Sequence, residues 1–423
     1  MAREMKDSGV DLVGKIPFEW VMKPIKAIAS YNDETLNETT DEYFEFDYID
    51  IGSVQYGKGI TQYQRMKFKD APSRARRIVR CNDTIVSTVR TYLKAIAKID
   101  DSDFPQVAST GFVVIRAKEI LPLFLYYALL SEAFICAVES HSTGISYPAI
   151  NGSDVVRLKI PIPPSDEQKR ICIFLDNKCA EIDTVLEKTR TSIEEYKKLK
   201  QAIITQAVTK GVRGDRPMRE SGIECIPMIP ADWSSFRGKH LFYETNERSE
   251  TGSEELLTVS HKTGITPRSQ KNVNMFMSES LVGYKICREG DIAANTMWMW
   301  QGAIGVSAYH GVISPSYNTY RQRNGVFDFQ YLDYLLRIQP LVEQYKVCST
   351  GITASRLRLY PEQFLSIKFV VPPMEEQQEI VKFLHSRVDE MDTIIQKKEQ
   401  FLTELENYKK SLIYEYVTGK KGV

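Results

Sequence analysis

The sequence predicts an α+β protein in which one arrangement, a globular segment followed by a long helix, occurs twice. The first observation is an internal repeat: Val208-Thr209 recurs as Val417-Thr418, an offset of 209 residues (417 minus 208). The same offset relates Pro163-Pro164 with Glu167-Gln168 to Pro372-Pro373 with Glu376-Gln377. The second observation is a seven-residue apolar period in the stretch that follows each proline pair. A constant offset indicates that both helices have kept their length while the globular segments diverged.

Both predicted helices, residues 165–211 and residues 374–423 with a short tail, carry an apolar seam. With Leu175 at position a, the a and d residues of the first copy are Leu175, Cys179, Ile182, Leu186, Thr189, Ile193, Tyr196, Lys200, Ile203 and Ala207. Those of the second copy are Leu384, Val388, Met391, Ile395, Lys398, Leu402, Leu405, Lys409, Leu412 and Tyr416. A heptad repeat of this length is typical of a coiled coil. Polar residues at two matching levels, Thr189 with Lys398 and Lys200 with Lys409, would fix its register at some cost in stability. Ser165 and Gln168 predict a capping box at the start of the first helix.

The globular segments are predicted to span residues 1–164, including an N-terminal segment, and residues 212–373, including a linker. Alternating residues from Thr84 to Val89 and an apolar run from Phe112 to Ile115 predict strands in the first segment. Ile16 to Trp20 is echoed by Ile229 to Trp233 in the second. Between such landmarks the two segments barely resemble each other. The sequence therefore predicts one fold that carries two different surfaces.

Composition restricts the class of protein. The 423 residues are 43% hydrophobic and 26% charged, which is ordinary for a soluble globular protein. The seven cysteines include no Cys-x-x-Cys pair and the five histidines show no ligand spacing, so neither a disulfide framework nor a metal site is expected. The most apolar run, Leu121 to Cys136, contains Pro122 and Glu132 and predicts a buried helix. With no signal-peptide pattern at the start, we expect a cytoplasmic protein without a membrane segment.

Charge is unevenly distributed although the formal net charge is zero. Between Arg65 and Lys98 there are ten basic residues against two acidic ones, whereas Thr35 to Asp50 contains acids only. A solvated charged face is the ordinary explanation of such a run. Interleaved hydroxyl and aromatic side chains favour a nucleic-acid-binding surface instead, since they can donate hydrogen bonds to phosphate or to base edges. The predicted contacts in this segment are Lys67, Lys69, Ser73, Arg74, Arg76, Arg77, Arg90, Tyr92 and Lys94.

A second candidate site lies in the other globular segment. Asn295 to Gln301 places two tryptophans between amide side chains, which can pair bidentately with an adenine edge. Burial in the core is the commoner fate of tryptophan and remains the alternative. The Ser-Thr-Gly-Ile loops at Ser142 and Ser349 predict either a phosphate-binding turn or a structural one. The predicted contacts in this segment are His261, Lys262, Asn295, Trp298, Gln301 and Arg356.

Several strings identify a family resemblance over essentially the whole chain. Ala71 to Arg77, Ala108 to Phe112, Ile160 to Pro164 with Glu167-Gln168, and Tyr408 to Ile413 are more specific than the periodicity. Together with the repeat they resemble the specificity (S) subunit of Type I restriction-modification systems. The resemblance implies that the globular segments are target-recognition domains and that the helices form an antiparallel coiled coil acting as a spacer between them.

The same resemblance implies a function and partners. The chain would be a non-catalytic subunit that reads a bipartite, asymmetric sequence in double-stranded DNA. It would recruit two modification subunits, which methylate adenine, and restriction subunits with ATP-driven translocase and nuclease activity. No catalytic residue or cofactor is expected in this chain. The alternatives are a coiled-coil adaptor without sequence preference and a self-contained methyltransferase or nuclease, which would require a cofactor or metal site of its own.

Overall fold

The computed structural model describes residues 3–270, 280–351 and 357–423, which form two compact units. Unit 1 comprises Met1–Arg190 with Gln400–Val423, and unit 2 comprises Thr191–Glu399. Each unit contains one globular segment and parts of both long helices. Among the described residues no single helix is long and apolar enough to cross a membrane, although the bent pair Pro122–Leu130 and Glu132–Ser140 passes by length and composition.

Unit 1 combines short strands with helices. Its strands are β1 (Met5–Asp7), β2 (Lys15–Pro17), β3 (Val21–Pro24), β4 (Ala29–Tyr31), β5 (Glu45–Ile49), β6 (Val54–Gln55), β7 (Gly59–Ile60), β8 (Gln64–Lys67), β9 (Ala75–Val79), β10 (Thr84–Ser87), β11 (Ile96–Lys98), β12 (Gln106–Ser109), β13 (Phe112–Ala117) and β14 (Lys159–Ile162). Its helices are α1 (Pro122–Leu130), α2 (Glu132–Ser140), α3 (Gly152–Val155) and the first part of α4 (Ser165–Lys210).

Two four-stranded sheets organise unit 1. One is antiparallel with the order β11-β10-β13-β4, and the other has the order β8-β5-β12-β9 with β12 parallel to β5. All four residues of β10 and the first four of β13, Phe112 to Ile115, are buried because both faces of these strands are covered. The helix predicted near Leu125 is present as α1, and its buried Phe124 and Leu125 belong to the core beneath the first sheet.

Unit 2 repeats part of this construction, with one four-stranded sheet and several strand pairs. Its strands are β15 (Met218–Glu220), β16 (Met228–Pro230), β17 (Ser234–Arg237), β18 (Phe242–Thr245), β19 (Leu257–Ser260), β20 (Gly264–Pro267), β21 (Lys285–Cys287), β22 (Ile292–Ala294), β23 (Ile304–Val306), β24 (Gly311–Ile313), β25 (Asn318–Gln322) and β26 (Lys368–Val371). Its helices are α5 (Gly238–Leu241), α6 (Phe329–Leu336), α7 (Gln339–Cys348), α8 (Pro361–Ser366) and most of α9 (Met374–Val417).

The repeat is visible in the strand order. The sheet β18-β25-β22-β23 of unit 2 corresponds strand for strand to β4-β13-β10-β11 of unit 1. The hairpin pairs β1-β2 and β15-β16, and the pairs β3-β14 and β17-β26, correspond in the same way. The predicted single fold with two surfaces is therefore present at the level of the frame.

The Glu-Gln pair anchors the start of each long helix in its own unit. In unit 1, Glu167 accepts hydrogen bonds from the Trp20 indole at 2.9 Å and from Arg3 at 2.6 and 2.8 Å. In unit 2, Glu376 likewise accepts from Trp233 at 2.8 Å and pairs with Arg216. The N-terminal strand pair is thus fixed to the helix start in both copies.

The capping box predicted from Ser165 and Gln168 is wrong. The Gln168 side chain instead accepts from Leu121 N at 3.0 Å and donates to Pro163 O at 3.0 Å, which ties the start of α4 to that of α1. Gln377 makes the same kind of bridge to Asp328 N and Pro372 O. A buried glutamine with two backbone partners satisfies groups that would otherwise be unpaired, so it has no reason to fold back onto its own helix.

The long helices are paired in antiparallel direction within each unit. In unit 1 the ring of Phe174 lies 4.4 Å from that of Tyr416, Asp183 pairs with Lys409, and Arg190 pairs with Glu406. Residue numbers rise along one helix as they fall along the other. In unit 2, Lys197 pairs with Glu399 and Lys200 with Asp392 in the same sense. Seam residues such as Leu175, Leu186, Leu384 and Ile395 are buried, as the heptad pattern predicts.

Candidate nucleic-acid interface

A loop of residues 88–95 joins β10 to β11 and carries three of the predicted contacts. It contains a 3-10 turn, Thr91–Leu93, flanked by Arg90 and Lys94 with φ of 51° and 50°. Two side-chain-bearing residues in the left-handed region are uncommon and indicate that the surrounding structure enforces the loop. Thr91 supplies that constraint, since its N–H donates to Pro148 O and its hydroxyl to Ser142 Oγ. Arg90 and Tyr92 consequently project from the surface.

The hairpin of residues 142–149 lies beside this loop. Thr143 and Ala149 exchange backbone hydrogen bonds at 2.9 Å, and Val89 bridges to Ala149. At the tip Ile145 and Tyr147 are exposed, and the Arg90 guanidinium lies 5.5 Å from the centre of the Tyr147 ring. The Ser-Thr-Gly-Ile loop at Ser142 is thus part of a hairpin that completes a surface of aromatic, aliphatic and cationic side chains.

Lys94 differs from Arg90 in its surroundings. Its ammonium lies 3.3 Å from Glu132 and 3.8 Å from Glu139, both on α2. Arg90 has no carboxylate partner within the described residues. Arg90 is thus the cation of this loop that is available to phosphate, whereas Lys94 is largely neutralised.

The corresponding loop of unit 2, residues 295–303, joins β22 to β23. It also contains a 3-10 turn, Met299–Gln301. Trp298 is 48% exposed and stacks on Trp300 with ring centres 6.2 Å apart. Asn295 is buried, and its Oδ1 accepts a hydrogen bond from Met297 N, so this side chain shapes the loop. Trp298 and the half-buried Gln301 are the side chains that the loop presents.

The remaining predicted contacts of unit 2 are on a hairpin or outside the described residues. His261 and Lys262 are exposed in the turn between β19 and β20. Both of their carbonyl oxygens accept from Arg337, at 3.5 and 2.8 Å. Arg356 lies outside the described residues.

Much of the basic run of unit 1 is paired with the acidic run that precedes it. Across the β5-β8 ladder, Arg65 pairs with Asp47 at 2.9 Å and Lys67 with Glu45 at 3.6 Å. Arg74 donates to Asp50 at 3.0 Å and to the Tyr48 hydroxyl at 3.2 Å. The positive field of this segment is accordingly weaker than its count of basic residues indicates, because opposite charges at these distances cancel at longer range.

The arginines of β9 have different neighbours. Arg76 is the extra residue of a bulge in the pairing of β9 with β12, and Arg77 follows it in the strand. Arg76 lies over the Phe68 ring at 4.9 Å, and Arg77 Nη1 reaches Thr35 Oγ1 at 3.5 Å. Neither has a carboxylate partner among the residues described, while Ser73 and Lys69 are exposed nearby. The predicted arginine cluster therefore divides into a paired member, Arg74, and two members without an acidic partner.

A matching charged network lies in both units, at the end of β10 and of β22 opposite to the loop. In unit 1, Arg116 donates to both carboxylate oxygens of Asp83 at 2.8 Å, and Glu34 bridges Arg116 and Arg80. Hydrogen bonds from Arg80 and then Arg116 lower the pKa of Glu34 to about 2. The Asp83 side chain is 1% exposed, so the Arg116 guanidinium stands where water would otherwise contact its carboxylate.

Unit 2 has a matching network, in which Arg321 donates to both carboxylate oxygens of Asp291. Arg321 corresponds to Arg116 of unit 1, and Asp291 corresponds to Asp83. Glu247 bridges Arg321 and Arg288. Burial alone would raise the pKa of Glu247, but the hydrogen bonds from its arginines lower it. The two aspartates occupy matching places in the sequence, in Asn82-Asp83 and Gly290-Asp291. Their partners lie tens of residues away and could not be identified by spacing.

Across the described ranges no group of three or more His, Cys, Asp or Glu side chains is placed to hold a metal ion.

Comparison with known proteins gives a consistent family match. Residues 17–195 and 258–404 match the family of the Type I restriction modification DNA specificity domain. The chain is 25% identical over 314 residues to the specificity subunit of the type I restriction enzyme MjaVIII of Methanocaldococcus jannaschii, covering 70% of each chain.

Two solved structures share the fold. One, from work on complex assembly and conformational transition of the type I R-M system, has a TM-score of 0.74 at 21% identity and covers 96% of this chain and 99% of that one. The other is the HsdS subunit of Thermoanaerobacter tengcongensis, with a TM-score of 0.52 at 22% identity over 96% and 98% of the two chains.

Proposed function

Because the chain belongs to the Type I restriction modification DNA specificity domain family, we propose that it reads a bipartite, asymmetric sequence in double-stranded DNA. Each globular segment reads one half of that sequence. The chain carries no catalytic residue of its own and acts through partners in the cytoplasm. Two modification subunits methylate adenine at the site it selects, and restriction subunits with translocase and nuclease activity join the assembly.

One observation carries this proposal. The loops 88–95 and 295–303 join equivalent strands of equivalent sheets, yet they present different chemistry. Unit 1 offers a guanidinium with exposed tyrosines, whereas unit 2 offers a stacked tryptophan pair and an amide. Matching frames with unlike contact surfaces are what a reader of two different half-sites needs.

The division of roles within each surface follows from the side chains. Arg90 suits a phosphate or a guanine edge, while Gln301 can pair with an adenine edge and Trp298 can pack against sugar or base. Contacts to phosphate position the protein without reading sequence. These contacts come from Arg76, Arg77, Lys67 and Lys69. His261, Lys262 and Arg356 are proposed to contribute in the same way to the second half-site.

The test is methylation of mixed-sequence DNA with a labelled methyl donor. The purified chain alone should transfer no label, and the chain with its modification subunits should label DNA at a defined sequence. Robust transfer by the isolated chain would mean that it is a self-contained methyltransferase. Binding to DNA without any sequence preference, in the presence of the modification subunits, would mean that it is a coiled-coil adaptor.

A further inference from the structure

The tip of the hairpin of residues 142–149 belongs to a surface that carries more apolar area than the fold of unit 1 requires. Ile145 is fully exposed, and Tyr147 exposes 69% of its area. The loop of residues 88–95 is hydrogen-bonded to this hairpin and adds three exposed side chains, Val89, Tyr92 and Leu93. Clustered exposed apolar side chains mark a surface that contacts another molecule.

The base of the hairpin is held by two neighbouring elements. The Ser142 hydroxyl donates to Val138 O of α2 at 2.7 Å and accepts from Thr91 Oγ1 at 2.9 Å. Just after the hairpin, the N–H of Ile150 donates to Thr88 O at 2.9 Å. The hairpin is therefore joined both to α2 and to the loop of residues 88–95.

A glycine sets the shape of the tip. Gly144 has a φ of 105°, and a Cβ atom at this residue would lie 3.1 Å from Tyr147 O. Glycine adopts this conformation without the steric cost that other residues have. The turn can therefore close tightly and leave Ile145 fully exposed. A side chain that is presented on a fixed hairpin loses little further freedom when it binds.

The charge beside the tip and the width of the hairpin favour the major groove of DNA. The Arg90 guanidinium, 5.5 Å from the centre of the Tyr147 ring, has no carboxylate partner within the described residues and is available to a phosphate. Thr143 and Ala149 join the two arms of the hairpin by backbone hydrogen bonds. The major groove, about 12 Å wide, admits a two-stranded ribbon, whereas the minor groove is only about 6 Å wide.

We propose that Ile145 reads the C5 methyl group of a thymine in the first half-site. In the major groove this methyl is the apolar group that a base edge offers, and the other distinguishing groups are hydrogen-bond donors and acceptors. The isoleucine side chain has neither a donor nor an acceptor, so contact with the methyl group is the interaction by which it can discriminate between bases. The proposal rests on the proposed function, because it requires that unit 1 reads one half of the DNA sequence.

Replacing thymine by deoxyuridine tests the proposal, because it removes only the C5 methyl group. The full chain with its modification subunits is titrated with duplexes that carry the mapped target sequence, and binding is followed by fluorescence anisotropy. Each thymine of the first half-site, on either strand, is replaced in turn. At one position the wild type should bind about fourfold more weakly, which is the loss expected for one buried methyl group.

Variants of the tip assign this loss to one side chain. Ile145→Ala should bind the original duplex and the deoxyuridine duplex equally well. Ile145→Val keeps a branched aliphatic side chain and should keep most of the preference for thymine. Because Ile145 is fully exposed, neither change removes a contact of the core. Val21→Ala, at another exposed aliphatic residue of unit 1, is the control and should discriminate as the wild type does.

The outcomes separate this proposal from the proposed function. If the wild-type complex binds its target selectively but no deoxyuridine replacement weakens binding, Ile145 does not read a methyl group. The same conclusion follows if Ile145→Ala retains the full fourfold preference. If a 2-aminopurine away from the methylated adenine brightens with the wild type and not with Ile145→Ala, the tip inserts between base pairs and the proposal is overturned. If the wild-type complex shows no sequence preference at all, the proposed function fails and this proposal with it.

Discussion

Lys409 Nζ lies 2.7 Å from both carboxylate oxygens of Asp183, and this ion pair joins the two long helices of unit 1. Unit 2 has the matching pair, with Lys200 Nζ at 2.6 and 2.7 Å from Asp392. Lys409 corresponds to Lys200 and Asp392 to Asp183 in the repeat, each at an offset of 209 residues (409 minus 200, 392 minus 183). Both lysines are at apolar seam positions. Because a lysine at such a position needs a carboxylate opposite it, the pairs favour a single register of the helices.

Loss of Asp183 should destabilise unit 1. The Lys409 side chain is only 12% exposed, and its remaining partner would be Gly57 O at 3.4 Å. Asp183→Ala should therefore lower the free energy of unfolding by about 1–3 kcal/mol. Urea denaturation followed by circular dichroism measures the effect. Asp392→Ala is the matched control and should lower the free energy of unfolding by less than Asp183→Ala does. The reason is that the Lys200 side chain is 22% exposed and reaches water more easily. Equal stability of all three proteins would show that the pairs do not contribute.

The charged network at the start of β10 predicts a pH dependence. The pKa of Glu34 is about 2 in the folded protein, below its usual value of 4.5, because Arg80 and Arg116 donate to its carboxylate. The resulting stabilisation is complete above about pH 4.5 and is lost as the pH falls towards 2. Glu34→Gln should be less stable than the wild type at pH 7, and the difference should shrink across that window. Denaturation at several pH values provides the measurement, and a difference that is constant with pH would contradict the assignment.

The frame was more accessible to sequence reasoning than the site. The helices begin at Ser165 and Met374 as predicted, because proline pairs and heptads are local signals. The pairing of Arg80 with Glu34 was not predictable, since the two residues meet only when β9 and the segment before β5 are brought together. The role of Gln168 was mistaken for the same reason: its partner Leu121 is supplied by another helix. The exposed hairpin tip at Tyr147 was missed because a Ser-Thr-Gly-Ile string does not reveal what lies beside it.

Arg90 should make a phosphate contact that Arg74 does not. Arg90→Ala should reduce the slope of log K against log salt concentration for DNA binding by about one unit. Arg74→Ala should change the slope by less, because Asp50 already balances that guanidinium. Arg76→Ala and Arg77→Ala are expected to resemble Arg90→Ala, since neither arginine has an acidic partner among the described residues. Binding measured by fluorescence anisotropy over a range of salt provides the slopes. Identical slopes for the wild type and the Arg90 variant would place that residue outside the interface.

Trp298 should contribute to recognition of the second half-site. Its exposed indole, stacked on Trp300, presents a flat apolar surface to DNA. Trp298→Ala should weaken binding by about 1–3 kcal/mol, the usual effect of losing an aromatic contact with nucleic acid. Val347→Ala, at another exposed apolar residue of unit 2, is the control and should have no effect. Titration of tryptophan fluorescence with target DNA reports the contact directly, and unchanged emission together with unchanged affinity would exclude it.

The two globular segments should be exchangeable one at a time. Each unit has its own apolar core, with Trp20 and Phe124 in one and Trp233 and Phe364 in the other. Replacing residues 226–373 by the corresponding segment of a relative should therefore change one half of the recognised sequence and leave the other half intact. Methylation mapping of the hybrid complex is the measurement. A change in both halves would show that the segments do not read independently.

We propose that this chain selects a split DNA sequence for adenine methylation by its partners. Mapping every methylated adenine in DNA exposed to the reconstituted complex tests it most directly. The expected result is one asymmetric sequence in two parts, with a methylated adenine in each part on opposite strands. Methylation at a single continuous sequence, or at adenines without any common sequence, would contradict the claim.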